Sequence, residues 1–75
     1  MERLYEILEG IRPDVDFKSE KKLMDEGILD SFDVVSIISE FNDEFGIEIR
    51  VNELGPSNFN SVEAMNTMVE RLSKK

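Results

Sequence analysis

Apolar residues recur at three- and four-residue spacing in three stretches of the chain, and each stretch predicts an amphipathic helix. Over residues 2–9, Leu4, Ile7, Leu8 and Ile11 share one face; Gly10 suits the left-handed position just past the helix end, and Pro13 forbids continuation. The second helix takes Asp30 as its N-cap, runs through Phe45 and carries Val34, Ile37, Ile38, Phe41 and Phe45 as its buried stripe. Gly46 fits the residue after its end, with Ile47 folding back onto Phe41. The last helix opens at Asn60, with Glu63 at capping-box spacing, and turns Val62, Met65, Val69 and Leu72 inward. Arg71, Lys74 and Lys75 suit the negative end of its dipole.

The connections are less regular. Residues 14–29 form a long loop pinned to the core by Phe17, Leu23, Met24, Ile28 and Leu29, and residues 19–24 are the best place in it for a short helical turn. Ile47-Glu48-Ile49-Arg50-Val51 alternates as a strand does, but a lone five-residue strand has nothing to pair with. An extended connector burying Ile47 and Ile49 is the better reading. Residues 52–54 predict a short third helix that Gly55-Pro56 breaks. The expected fold is therefore all-α: a small bundle of three main helices plus one short helix, forming one domain over residues 1–75.

Composition narrows what such a bundle can do. A chain of 75 residues buries about 60% of its unfolded surface, enough for one core. Without cysteine there are no disulfides or thiolate metal sites, so apolar packing and helix-end chemistry must hold the fold. No segment approaches the roughly 20 apolar residues that span a bilayer, and Met1-Glu2-Arg3-Leu4 lacks the apolar run of a signal peptide. A cytoplasmic monomer is the expectation.

The net charge of -8 is concentrated. Between Leu23 and Ile49 stand Asp25, Glu26, Asp30, Asp33, Glu40, Asp43, Glu44 and Glu48 and no Lys or Arg, while the other nine acids are matched by nine bases. Such a face repels nucleic acid and anionic membranes and steers basic protein surfaces toward it.

Asp30-Ser31-Phe32-Asp33 carries the candidate chemistry. A nucleophilic serine needs a base within hydrogen-bond reach, usually a histidine, and the chain has none. If Ser31 takes part in chemistry, another enzyme must modify it; taken alone, Asp-Ser at a helix start also reads as simple capping. With Asp30 capping, Ser31 occupies the first helical position, where free backbone N–H groups favour a negative charge such as a phosphate ester. Val35 and then Ser39 follow on the same face, with Phe32 and Ile28 flanking. Calcium binding fails on the residues: an EF-hand loop starting at Asp14 puts Lys18 at a ligand position and Ser19 where glycine is required. Neighbouring carboxylates such as Asp25 and Glu26 read as solvated loop residues, and no enzyme of its own is expected.

The run Gly27-Ile28-Leu29-Asp30-Ser31-Phe32, the acidic second helix ending Glu44-Phe45-Gly46-Ile47-Glu48-Ile49, and the helix order resemble the acyl carrier protein family over almost the whole chain. The resemblance implies that Ser31, preceded by Asp30, receives 4'-phosphopantetheine from coenzyme A through a phosphopantetheinyl transferase. The arm's thiol then carries acyl or aminoacyl thioesters, as in fatty acid biosynthesis. It also implies docking of acyl- or aminoacyl-loading and acyl-transfer enzymes, with basic surfaces, on Asp30, Phe32, Asp33, Val35, Glu40, Asp43 and Glu44. Ser36 stands where fatty-acid carriers usually present a glutamate, and Arg50 replaces a frequent proline at the docking edge. Phe32 and the segment from Glu53-Leu54 to Asn58-Phe59 are similar also to D-alanyl carrier proteins of cell-envelope modification, and carriers of secondary-metabolite synthesis are similar too. A long acyl chain would need a cavity bounded by Ile38, Phe41, Ile49, Leu54, Phe59 and Met65, unless these pack as core. A protein-interaction module that occupies a basic surface without carrying an arm is the reading from a different class.

Overall fold

The computed structural model describes residues 1–74 and contains α1 (Glu2–Ile11), α2 (Ser31–Phe45), a 3-10 turn (Val51–Glu53), α3 (Pro56–Phe59) and α4 (Val62–Ser73). Three helices of 10, 15 and 12 residues and one of four make the expected all-α bundle. Lys75, assigned to the last helix end by the sequence pattern, lies outside the described residues.

Each long helix turns its apolar stripe to a common centre. Leu4 and Leu8 of α1, Val34, Ile37 and Phe41 of α2, and Val62, Met65, Met68 and Val69 of α4 are buried together. Phe17, Leu23 and Leu29 of the long loop, Ile49 of the connector and Phe59 of α3 complete that core. At about 25 cal/mol per Å2 of apolar surface removed from water, this burial is the main force on the fold. The rings of Phe41 and Phe45 meet edge-on with centroids 5.7 Å apart.

The helix ends depart from the pattern in two places. Gly10 is not a stop: α1 continues through Ile11 and ends at Arg12, whose backbone has left the helical region at φ -133° and ψ 82°. Pro13 is the cause, since its ring disfavours helical backbone in the residue before it. At α4 the cap is Ser61, not Asn60, with its hydroxyl accepting from the Ala64 N–H at 3.1 Å. Asn60 is occupied elsewhere. Its side-chain oxygen accepts from the N–H of Met24 (2.9 Å) and Asp25 (3.1 Å), its amide nitrogen donates to Asp25 (2.9 Å), and its backbone carbonyl accepts from Leu23 N–H (2.9 Å). An amide side chain both donates and accepts, which a hydroxyl-sized cap uses only in part.

Those four bonds dock the long loop onto the start of α4. Among the described residues the loop holds no helix at 19–24; it bends once where Ser19 and Glu20 donate to the Asp16 carbonyl and again where Glu26 donates to Lys22 and Gly27 to Met24. The second bend closes at Gly27, whose φ of 68° is strained for any residue with a Cβ.

Past α2, Gly46 takes the left-handed conformation (φ 62°, ψ 37°) that ends the helix. Residues 47–50 are extended without pairing to any described strand, and Ile49 is buried while Ile47 is half-buried. The predicted short helix at 52–54 is a 3-10 turn over Val51–Glu53. Gly55-Pro56 then starts a helix as well as ending one, because proline suits the first helical position, where its missing N–H would have no partner.

Candidate functional site

The N-terminus of α2 is built by two aspartates that cap each other. Asp30 Oδ1 accepts from the Asp33 N–H at 2.8 Å, and Asp33 Oδ2 accepts from the Asp30 N–H at 3.2 Å. This reciprocal box satisfies two backbone donors that the first turn otherwise leaves orphaned. Ser31, the first residue of the helix, lies between them with its side chain on the exposed surface.

Asp33 has a second partner. It is only 7% exposed, and Arg12, from the end of α1, donates through Nη1 to Asp33 Oδ2 and also to the Ile28 carbonyl at 3.1 Å. The rest of the guanidinium is held from outside by Asp14, through Nε at 3.0 Å and Nη2 at 2.9 Å. The hydrogen bonds to Asp14 and then Asp33 hold Arg12 charged well above its ordinary range, and the same contact with Arg12 draws Asp14 below the usual carboxylate range. Asp33, one of the docking acids expected from sequence, is mostly buried, and its carboxylate is held by the helix cap and by Arg12.

The surface around Ser31 is apolar. Phe32 is 79% and Val35 62% exposed, and a groove of about 360 Å3 beside Ser31 is lined by Met24, Leu29, Asp30, Val34, Val35 and Leu54. A second groove of about 540 Å3 is lined by Phe32, Asp33, Val35, Ser36, Ser39 and Glu40 of α2 and by Ile11 of α1. Glu40 and Asp43 are exposed; Glu44 is gripped by Arg3 Nε and Nη2, both at 2.9 Å, which draws it below its ordinary range. Arg50 is exposed and donates to Glu48 at 3.3 Å. Asp30, Ser31 and Val35 thus share the first groove, Phe32, Val35, Ser36 and Glu40 share the second, and Asp43 and Glu44 lie at the far end of α2 with Arg50 beyond it.

The cargo walls named from sequence divide. Phe41, Phe59 and Met65 have no exposed surface, whereas Leu54 stands out at 41%. The groove beside Ser31 shares only Leu54 with that set. Val51, at 82%, is a further exposed apolar residue that sequence reasoning left aside, because its place at the end of an alternating run reads as connector.

Chemically, an outward hydroxyl at the start of a 15-residue helix, next to an apolar groove, can bear a phosphodiester and rest an organic arm against the protein. Among the described residues no three His, Cys, Asp or Glu side chains gather to hold a metal ion. The site thus defines a carrier class, a small helical bundle that presents a residue for a covalent group. The chain belongs to the family described as phosphopantetheine attachment site, which matches residues 2–69, and it is a carrier of covalently held 4'-phosphopantetheine. No curated protein and no solved structure matched the chain. No helix among the described residues is long and apolar enough to cross a membrane.

Proposed function

We propose that Ser31 is the attachment residue and that the protein carries acyl intermediates as thioesters on the 4'-phosphopantetheine arm, delivering them to partner enzymes. The observation that carries this reading is the exposed serine at the first position of α2, inside the reciprocal Asp30/Asp33 cap, in a chain of this family. Loading forms a bond from Ser31 Oγ to phosphorus and releases the nucleotide part of coenzyme A. The serine proton goes to the transferase, since the chain has no histidine to take it. The arm's thiol supplies the thioester chemistry, and a tether of this kind keeps the cargo at millimolar-scale effective concentration for each enzyme that docks.

Docking falls to Phe32 and Val35 as apolar contacts and to Asp30, Glu40, Asp43 and Glu44 as acids, with Ser36 and Arg50 altering the pattern that a partner meets. An aminoacyl cargo, D-alanyl among them, is the second reading. It is favoured by the filled interior at Phe41, Phe59 and Met65, which a short cargo does not need to open.

The test is mass spectrometry after incubation with coenzyme A and a broad-specificity phosphopantetheinyl transferase. The protein is expected to gain one arm, lost in Ser31→Ala; no gain, or a gain that survives Ser31→Ala, overturns the assignment. Competition among fatty-acyl, aminoacyl and D-alanyl loading enzymes then ranks the cargoes.

A further inference from the structure

We propose that Arg12 is a positioning residue for Ser31, a role that rests on Ser31 being the attachment residue. Its guanidinium spans the serine. One nitrogen, Nη1, binds the carbonyl of Ile28 three residues before Ser31 and the carboxylate of Asp33 two residues after it. The segment that presents the hydroxyl is thereby tied at both ends to a single planar group on a different helix.

Three features make that group rigid. Arg12 is the last cap of α1, its backbone set by Pro13, so its stem leaves a fixed point. Asp14 holds Nε and Nη2 from the solvent side, so the fork cannot rotate away without breaking two further bonds. Asp33 is at once the acceptor for Arg12 and the partner of the Asp30 backbone, which couples the clamp to the helix cap beside Ser31. Lysine in place of arginine supplies one point charge and no fork, and so reproduces only part of this.

The clamp is separate from the apolar core. Residues such as Leu8, Phe41, Met65 and Met68 pack the helices together without any contact from the guanidinium being needed. Removal of the guanidinium is thus expected to loosen residues 28–33 and leave α4 in place. Glu40 and Asp43 lie outside that segment and stay in place, whereas Asp30 and Phe32 lie within it, so the main loss falls on the rate of transfer within the bound complex.

The experiment compares the full chain with Arg12→Gln, Arg12→Lys and Asp14→Ala, in amide hydrogen exchange of the unloaded protein and in transferase loading from coenzyme A. In Arg12→Gln the amides of Leu29, Asp30, Asp33 and Val34 are expected to lose protection while those of Met65 and Val69 keep theirs. Loading is expected to fall about tenfold in kcat, with a smaller change in KM. Arg12→Lys should recover part of the rate, and Asp14→Ala, which removes only the outer grip, should move both readouts the same way by less. Parent-like exchange and kcat in Arg12→Gln overturn the proposal, as does a uniform loss of protection that includes α4. If Arg12→Gln does not fold, unchanged behaviour of both Arg12→Lys and Asp14→Ala overturns it instead. A parent chain that gains no arm sinks the attachment reading and the loading role with it, and the exchange data then decide the clamp by themselves.

Discussion

Asn42, on the half-buried flank of α2, accepts the backbone N–H of Ile49 through its side-chain oxygen at 2.9 Å. This bond replaces the strand partner that the connector after α2 lacks: Ile49 is buried, and its N–H would otherwise have lost water for nothing. Asn42→Ala leaves that donor unsatisfied and is expected to cost about 1–3 kcal/mol. Urea unfolding measures it, and an unchanged midpoint would show that Asn42 does not hold the connector.

Asn60 and Ser61 are neighbours with different tasks. Ser61→Ala removes a helix cap and is expected to cost about 1 kcal/mol. Asn60→Ala strips the acceptor from both Met24 and Asp25 and the donor to Asp25, and should cost more. It should also raise protease sensitivity in the long loop. Equal losses in denaturant melts would contradict this division.

Charge reversal on α2 separates docking from folding. Asp43→Lys is expected to slow transferase loading and leave the thermal midpoint near that of the parent, with the effect shrinking as salt rises. Glu44→Lys slows loading too and also breaks the pair with Arg3. Loading rates unchanged at low salt in both variants would remove α2 as the docking surface.

The Arg3–Glu44 pair makes a signed prediction about pH. Arg3 lowers the Glu44 pKa in the folded state from the ordinary value of 4.5, so the pair's contribution is fully present above about pH 4.5 and is lost as pH falls through the lower folded value. The stability difference between the parent and Arg3→Gln, which also removes the Arg3 bond to Glu6 (2.8 Å), should therefore be constant from pH 7 to about 4.5 and vanish in more acid solution. It should be small, as both side chains are exposed. A difference that persists at pH 2 would mean that Arg3 acts through packing instead.

Much of the fold was legible because its signals are local. The Asp30 cap, the apolar stripe of α2 and the Gly46 stop all lie within one helix and its flanks; the cap and stop are as expected, and of the stripe Val34, Ile37 and Phe41 are buried while Ile38 and Phe45 are half-buried. The stop of α1 was misplaced for a reason equally local: Gly10 offers a left-handed turn, but Arg12 stands before a proline, and the proline's steric restriction prevails.

The partners of Asp33, Asn60 and Leu54 are a different matter. Asp33 caps its own helix through Asp30, three residues away, but its burial under Arg12 comes from 21 positions off, and whether Asn60 caps α4 or holds a loop was settled by residues 35–36 positions away. Leu54 belongs on sequence to an interior wall and stands on the surface beside Ser31. From its sequence alone this protein had its helices, its acidic face and an outward serine at a helix start, since hydrogen bonds and periodicity over three or four residues specify them. Only the tertiary structure decided which polar groups were left for partners, because the chain folds back before distant donors and acceptors can compete, and the buried ones must be satisfied first.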